Sequence, residues 1–133
     1  MTKGQKIAFQ ILFFLYLAGI LFLCFWHFES LPDTPSALLG IPMDKLVHCA
    51  MFIPFPILAF LAFDQYTETV KQTLLFVGVT LAVGLVVAAG TEWGQAALTE
   101  YRQGEPLDFL ADAIGLLISS AIVAFWDIRK QKR

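Results

Sequence analysis

Asp44, Lys45 and His48 form a short acid–base–imidazole cluster in which Asp44 and His48 are four residues apart. That spacing puts the two on one face of a helix. Further along come Glu92 and Gln95, three apart, then Arg102, then Asp108 and Asp112, again four apart. A histidine beside carboxylates has the components of general acid–base chemistry. An arginine suits a planar oxyanion or a phosphate, which its guanidinium grips with two parallel hydrogen bonds. The candidate pocket is therefore Asp44, Lys45, His48, Glu92, Gln95, Arg102, Asp108 and Asp112, with His48, Glu92 and Arg102 as the candidate catalytic groups.

The elements that must position these residues are unusual for a chain of 133 residues. It is 58% hydrophobic and only 15% charged, with a mean hydropathy of +0.71. Soluble domains carry about 25% charged residues. Four apolar runs stand out, at Ile7–Phe28, Leu46–Phe63, Thr73–Leu98 and Leu107–Ile128. Each approaches the roughly 20 helical residues needed to cross about 30 Å of hydrocarbon. Polar, proline-bearing stretches separate them, as turns and breakers do. The expectation is an all-α, single-domain membrane protein with four transmembrane helices.

The first run follows Lys3 and Lys6, as a signal peptide would. It is longer than a signal-peptide core, and no small-x-small cleavage pattern follows it, so a retained signal-anchor helix is expected. Cys24 and Cys49 both lie in apolar runs and read as packing residues rather than a disulfide pair. No basic face suggests nucleic-acid binding.

Orientation follows the distribution of lysine and arginine. Lys3, Lys6, Lys71, Arg129, Lys130, Lys132 and Arg133 fall on one side, and only Lys45 and Arg102 on the other. Both termini are therefore expected in the cytoplasm. Trp26 and Trp126 stand at span ends as interfacial anchors, and His27 reads as interfacial. This arrangement places the candidate residues within about two helical turns of the outer boundary, given the rise of 1.5 Å per residue. A carboxylate in hydrocarbon costs about 2.5–3.5 kcal/mol on insertion scales, so these acids need a reason to be there.

The helical faces supply one. Below Glu92 the stripe continues through Ala88 and Gly84, a small-residue packing face. Below Asp112 it continues through Gly115 and Ser119. The acids are thus expected to face neighbouring helices. Pro54 and Pro56 remove two backbone donors and free the carbonyls of Ala50 and Phe52 near His48.

Three readings of such a pocket stand side by side. In the first it is structural, with Glu92 paired to Arg102 or His48 and the polar groups joining helices. In the second it binds an anionic lipid headgroup or a lipid-linked pyrophosphate through Lys45, His48 and Arg102. In the third it is catalytic, with Glu92 and His48 as an acid–base pair and Arg102 stabilising developing charge. An oxygen-rich divalent-cation site from His48, Glu92, Asp108 and Asp112 belongs to this last reading. No metalloprotease helix, nucleophile elbow or P-loop motif is present. A transport path is disfavoured, because the inner halves of the spans read as almost bare of polar groups.

Asp44-Lys45-x-x-His48, then Glu92-x-x-Gln95, then Arg102 followed by Asp108-x-x-x-Asp112-x-x-Gly115, resembles the pattern of the VanZ-like membrane proteins. The resemblance covers Asp44 to Gly115 and the span layout. Where that family usually has asparagine, this chain has Asp112. The resemblance implies a multi-pass protein of the bacterial cell membrane, in a family whose named member is associated with resistance to the glycopeptide teicoplanin. The resemblance supplies neither a reaction nor a cofactor; the pocket reading adds an envelope lipid or lipid-linked precursor as the expected partner. The alternative is an accessory membrane protein whose polar cluster only holds the bundle together.

Overall fold

The computed structural model describes residues 2–25, 37–38, 41–64, 67–98 and 106–132, with the side chains of 37, 38, 41–44 and 98 outside the description. Its helices are α1 (Lys3–Phe25), α2 (Met43–Phe52), α3 (Pro54–Phe63), α4 (Val70–Leu98) and α5 (Pro106–Gln131). The segments Lys3–Phe25, Lys45–Phe63, Val70–Ala97 and Pro106–Gln131 are each long and apolar enough to cross a membrane. The fold is that of a multi-pass helical membrane protein. Among the described residues a two-residue antiparallel pair, β1 (Ala37–Leu38) with β2 (Ile41–Pro42), lies before α2.

The helices start earlier than the apolar runs because polar residues cap them. Thr2 Oγ1 accepts the Gln5 N–H at 3.1 Å, while Gln5 Oε1 accepts the Thr2 N–H at 2.9 Å. This reciprocal capping box starts α1 at Lys3 rather than Ile7. Thr69 and Gln72 repeat it at the start of α4: Thr69 Oγ1 accepts the Gln72 N–H at 3.2 Å, and Gln72 Oε1 accepts the Thr69 N–H at 3.1 Å. At α5, Asp108 lies in the first turn and Arg129 and Lys130 in the last. Each charge there opposes the partial charge of its helix end.

The second span is broken in two. Pro54 has no N–H to donate into the preceding turn, so α2 stops at Phe52 and α3 begins with Pro54 in its first turn. The carbonyls that receive side-chain hydroxyls at this break are those of Met51, from Tyr16, and Ile53, from Ser119 at 2.5 Å. Both are one residue along from the carbonyls of Ala50 and Phe52 that the prolines free.

α5 is the hub, packing against α2, α4 and α3, while α1 packs mainly on α3. The apolar core joins Phe13, Ile20 and Cys24 of α1 to Phe52, Phe55, Ala88 and Leu116. Outside it the usual arrangement is reversed. Leu15, Leu75, Val86, Trp93 and Phe125 are more than 60% exposed, while Thr73, Gln95, Asp112, Ser119 and Asp127 are buried. Lipid tails are as apolar as leucine, so burying aliphatic side chains gains little there. Polar contacts and close packing of small residues hold the helices together instead.

Candidate functional site

Three helices supply the polar residues at one end of the bundle. α5 bears Asp108 and Asp112 one turn apart on its buried stripe. α2 faces them with Lys45 and His48, and α4 brings Glu92 near its C-terminal end. Gly115, one turn beyond Asp112, lets α2 and α5 come this close. A Cβ built there would lie 2.3 Å from the carbonyl oxygen of Cys49, so a side chain would force the two backbones apart.

The approach brings two pairs to bonding distance. Lys45 Nζ donates to Asp108 Oδ1 at 2.5 Å. His48 Nδ1 lies 2.9 Å from Asp112 Oδ1. The other ring nitrogen, Nε2, is 3.8 Å from Asp108 Oδ2, so the imidazole lies between two carboxylates. Asp112 is fully buried, and its second oxygen, Oδ2, has no hydrogen-bond partner in the structure. Glu92 and Asp108 also act electrostatically on His48. From the α1 side, Tyr16 donates to the Met51 carbonyl and lies within the field of Asp112.

This geometry assigns His48 a different carboxylate from the one expected. Its hydrogen-bonded partner is Asp112, not Glu92, because the Gly115 contact sets the register of α2 against α5. With Asp112 ionised, Nδ1–H donates to it and Nε2 carries the free lone pair. That is the arrangement of an oriented general base; with Nε2 protonated as well, the same contact is a buried ion pair that fixes helix register. Gln95 is buried, and its amide nitrogen donates to the carbonyl of Cys24 at 2.9 Å, tying α4 to α1. Asp44 lies in α2, with its side chain outside the described residues. Arg102, His27 and Trp26 lie outside the described residues altogether. Among the described residues, no three histidine, cysteine, aspartate or glutamate side chains are grouped to hold a metal ion.

Beside the cluster, a groove of about 400 Å³ runs between α4 and α5, lined by Ala89, Glu92, Trp93, Ala96, Pro106 and Phe109. Its wall is apolar except at Glu92. On the other side of Trp93 a second groove, about 350 Å³, lies between α1 and α4. Gly94 lets Phe25 approach there, since a Cβ at that position would lie 2.6 Å from the ring.

No protein-family model, curated protein or solved structure matches this chain. The site is read from its own geometry.

The opposite end of the bundle holds a second polar cluster, which corrects the expectation of nearly bare inner halves. Thr73 Oγ1 donates to Asp127 Oδ2 at 2.5 Å, and both residues are buried. Gln131 Nε2 donates to Thr73 Oγ1 at 2.7 Å and to the Thr67 carbonyl at 2.8 Å. Thr67 Oγ1 donates to Asp64 Oδ2 at 3.0 Å, and Lys6 Nζ donates to the Asp64 carbonyl. Burial raises the Asp64 carboxyl above its ordinary value, opposed by the Thr67 hydrogen bond. A sequence signal for this cluster existed. Asp112, Ser119, Ser120 and Asp127 recur at helical spacing, so the α5 stripe stays polar to its end.

Proposed function

We propose that this chain is a VanZ-like protein of the bacterial cell membrane, with both termini cytoplasmic. In this reading its outer-end pocket binds or processes an envelope lipid or lipid-linked precursor. One observation carries the reading: the buried Lys45–Asp108 and His48–Asp112 pairs adjoin an apolar groove through Glu92, which both lines the groove and acts on His48. A lipid has the matching form, a polar head joined to an apolar chain. Groove and cluster together offer surroundings for both parts at one membrane depth. The orientation rests on the lysine and arginine bias. The family reading rests on the motif pattern from Asp44 to Gly115, and a link to glycopeptide resistance belongs with it.

The test is mass spectrometry of lipids that co-purify with the wild type and with two variants, Glu92→Gln and Ala96→Trp, at equal folded yield. The expected result is a specific lipid in the wild type that is lost when the head site is altered or the groove is filled. The same unselective lipids in all three proteins would sink the reading.

A second reading is favoured by the pairing itself. Lys45 and His48 each already contact a carboxylate, as in a cluster that serves only to join α2 to α5. It predicts that Asp112→Leu lowers folded yield, while Ala96→Trp leaves lipid content and phenotype unchanged.

A further inference from the structure

The far end of α5 carries two cations whose situation differs from that of Lys45. Arg129 and Lys130 are exposed, and among the described residues neither lies within ion-pair distance of an acid, though Lys130 acts on Asp64 electrostatically. Each folds back over an aromatic ring one turn earlier. The Arg129 guanidinium carbon is 5.5 Å from the Phe125 ring centroid, and Lys130 Nζ is 5.1 Å from that of Trp126. Side chains on a helix lean toward its N-terminus, so this placement aims both charges back along the apolar surface of α5. Attraction to the ring faces holds them there.

These cations rim a cavity of about 510 Å³ whose remaining wall is Ile122, Phe125 and Trp126. It shares Ile122 and Trp126 with a wholly apolar groove of about 240 Å³, whose other wall includes Ile57 and Leu61 of α3. A cationic rim thus stands beside an apolar groove on the surface of α5. The surrounding charge is predominantly positive. Seven of the chain's nine lysines and arginines flank this end of the spans, against Asp64, Glu68 and Asp127 among its acids.

We propose that this surface is a binding site for an anionic phospholipid, with its phosphate between Arg129 and Lys130 and an acyl chain along Ile122 and Trp126 toward α3. The site is separate from the His48 cluster at the other end of α5 and does not depend on its function. Two exposed bases near a membrane surface each favour anionic lipid, and the groove offers one chain a path.

Trp126 forms part of both walls, so it reports occupancy. The experiment uses the full chain with Trp26→Phe and Trp93→Phe, leaving Trp126 as the fluorophore, in mixed vesicles. Quenching is compared for phosphatidylglycerol and phosphatidylcholine carrying brominated acyl chains. A matched protein with Trp26→Phe and Trp126→Phe reports from Trp93 at the other end. The expected result is roughly a tenfold preference for phosphatidylglycerol at Trp126, absent at Trp93 and abolished by Arg129→Gln with Lys130→Gln. Equal quenching of Trp126 by the two lipids would overturn the proposal, whatever the folding of the double variant. So would a preference that Trp93 shares, or one that survives loss of both charges.

Discussion

His48 and Asp112 meet across the α2–α5 seam with 2.9 Å between Nδ1 and Oδ1, and the carboxylate is fully buried. The hydrogen bond accounts for this pairing if an acceptor oxygen matters more than the charge. Asp112→Asn keeps such an oxygen and should cost within about 1 kcal/mol. Asp112→Leu leaves the imidazole donor unsatisfied and should cost about 1–3 kcal/mol. Reversible unfolding in detergent compares the two, and equal losses would assign the interaction to charge.

The backbone contact at Gly115 predicts a graded glycine series. Gly115→Ala meets the Cys49 carbonyl, which cannot move without its helix, and should cost about 1–3 kcal/mol. Gly84→Ala meets Leu116 Cδ2 at 2.7 Å, the end of a flexible side chain, and should cost less. A Cβ at Gly90 has nothing within 4 Å, so Gly90→Ala should be neutral or slightly stabilising. Unfolding midpoints in one detergent rank the three. A neutral Gly115→Ala would mean that α2 and α5 are further apart than described.

Lys45 and Asp108 form a pair in which both side chains are nearly excluded from solvent, 13% and 10% exposed. Removing one partner leaves a largely buried charge less well compensated, so Lys45→Met alone or Asp108→Leu alone should destabilise by up to about 3 kcal/mol. The double variant replaces both charges with apolar groups and should recover most of that loss. A double-mutant cycle reads the coupling. Additive losses would show that the two side chains do not support one another.

Asp64 gives a pH dependence outside the spans. Burial raises its carboxyl above 3.8, so folding favours the protonated form. Its contribution to stability is complete below that value and is lost as pH rises through the raised one. Subtracting the stability profile of Asp64→Asn from that of the wild type isolates this residue. The difference should fall against the wild type as pH rises from about 4. A difference that stays flat, or grows in favour of the wild type, would contradict the burial argument.

Lipid selectivity at Trp126 and the loss of a co-purifying lipid in Ala96→Trp concern opposite ends of α5. They should separate cleanly: Arg129→Gln with Lys130→Gln leaves the lipid profile at the Glu92 groove intact, and Ala96→Phe, which fills that groove without adding a fluorophore, leaves Trp126 quenching intact. Lipid mass spectrometry on the wild type and these variants, and fluorescence on each with Trp26→Phe and Trp93→Phe added, check this. Cross-effects would point to a global change in the bundle.

Much of this protein follows from local information. The four apolar runs set the number of spans, because hydrocarbon thickness and helical rise are constants. Thr2 with Gln5, and Thr69 with Gln72, set two helix starts through neighbours three residues apart. The depth of His48, Glu92 and Asp112 also follows, since position along a helix is linear in residue number. Which acid meets His48 does not. Glu92, Asp108 and Asp112 are all available at nearly one depth, and the choice among them depends on how the helices are rotated and how closely they approach. Those are long-range properties. The absent side chain at Gly115 lets the Cys49 backbone in, and Asp112 then reaches the imidazole while Gln95 turns toward α1. The cluster of Asp64, Thr73, Asp127 and Gln131 arises in the same way, from segments that only the packing of α4 against α5 brings together.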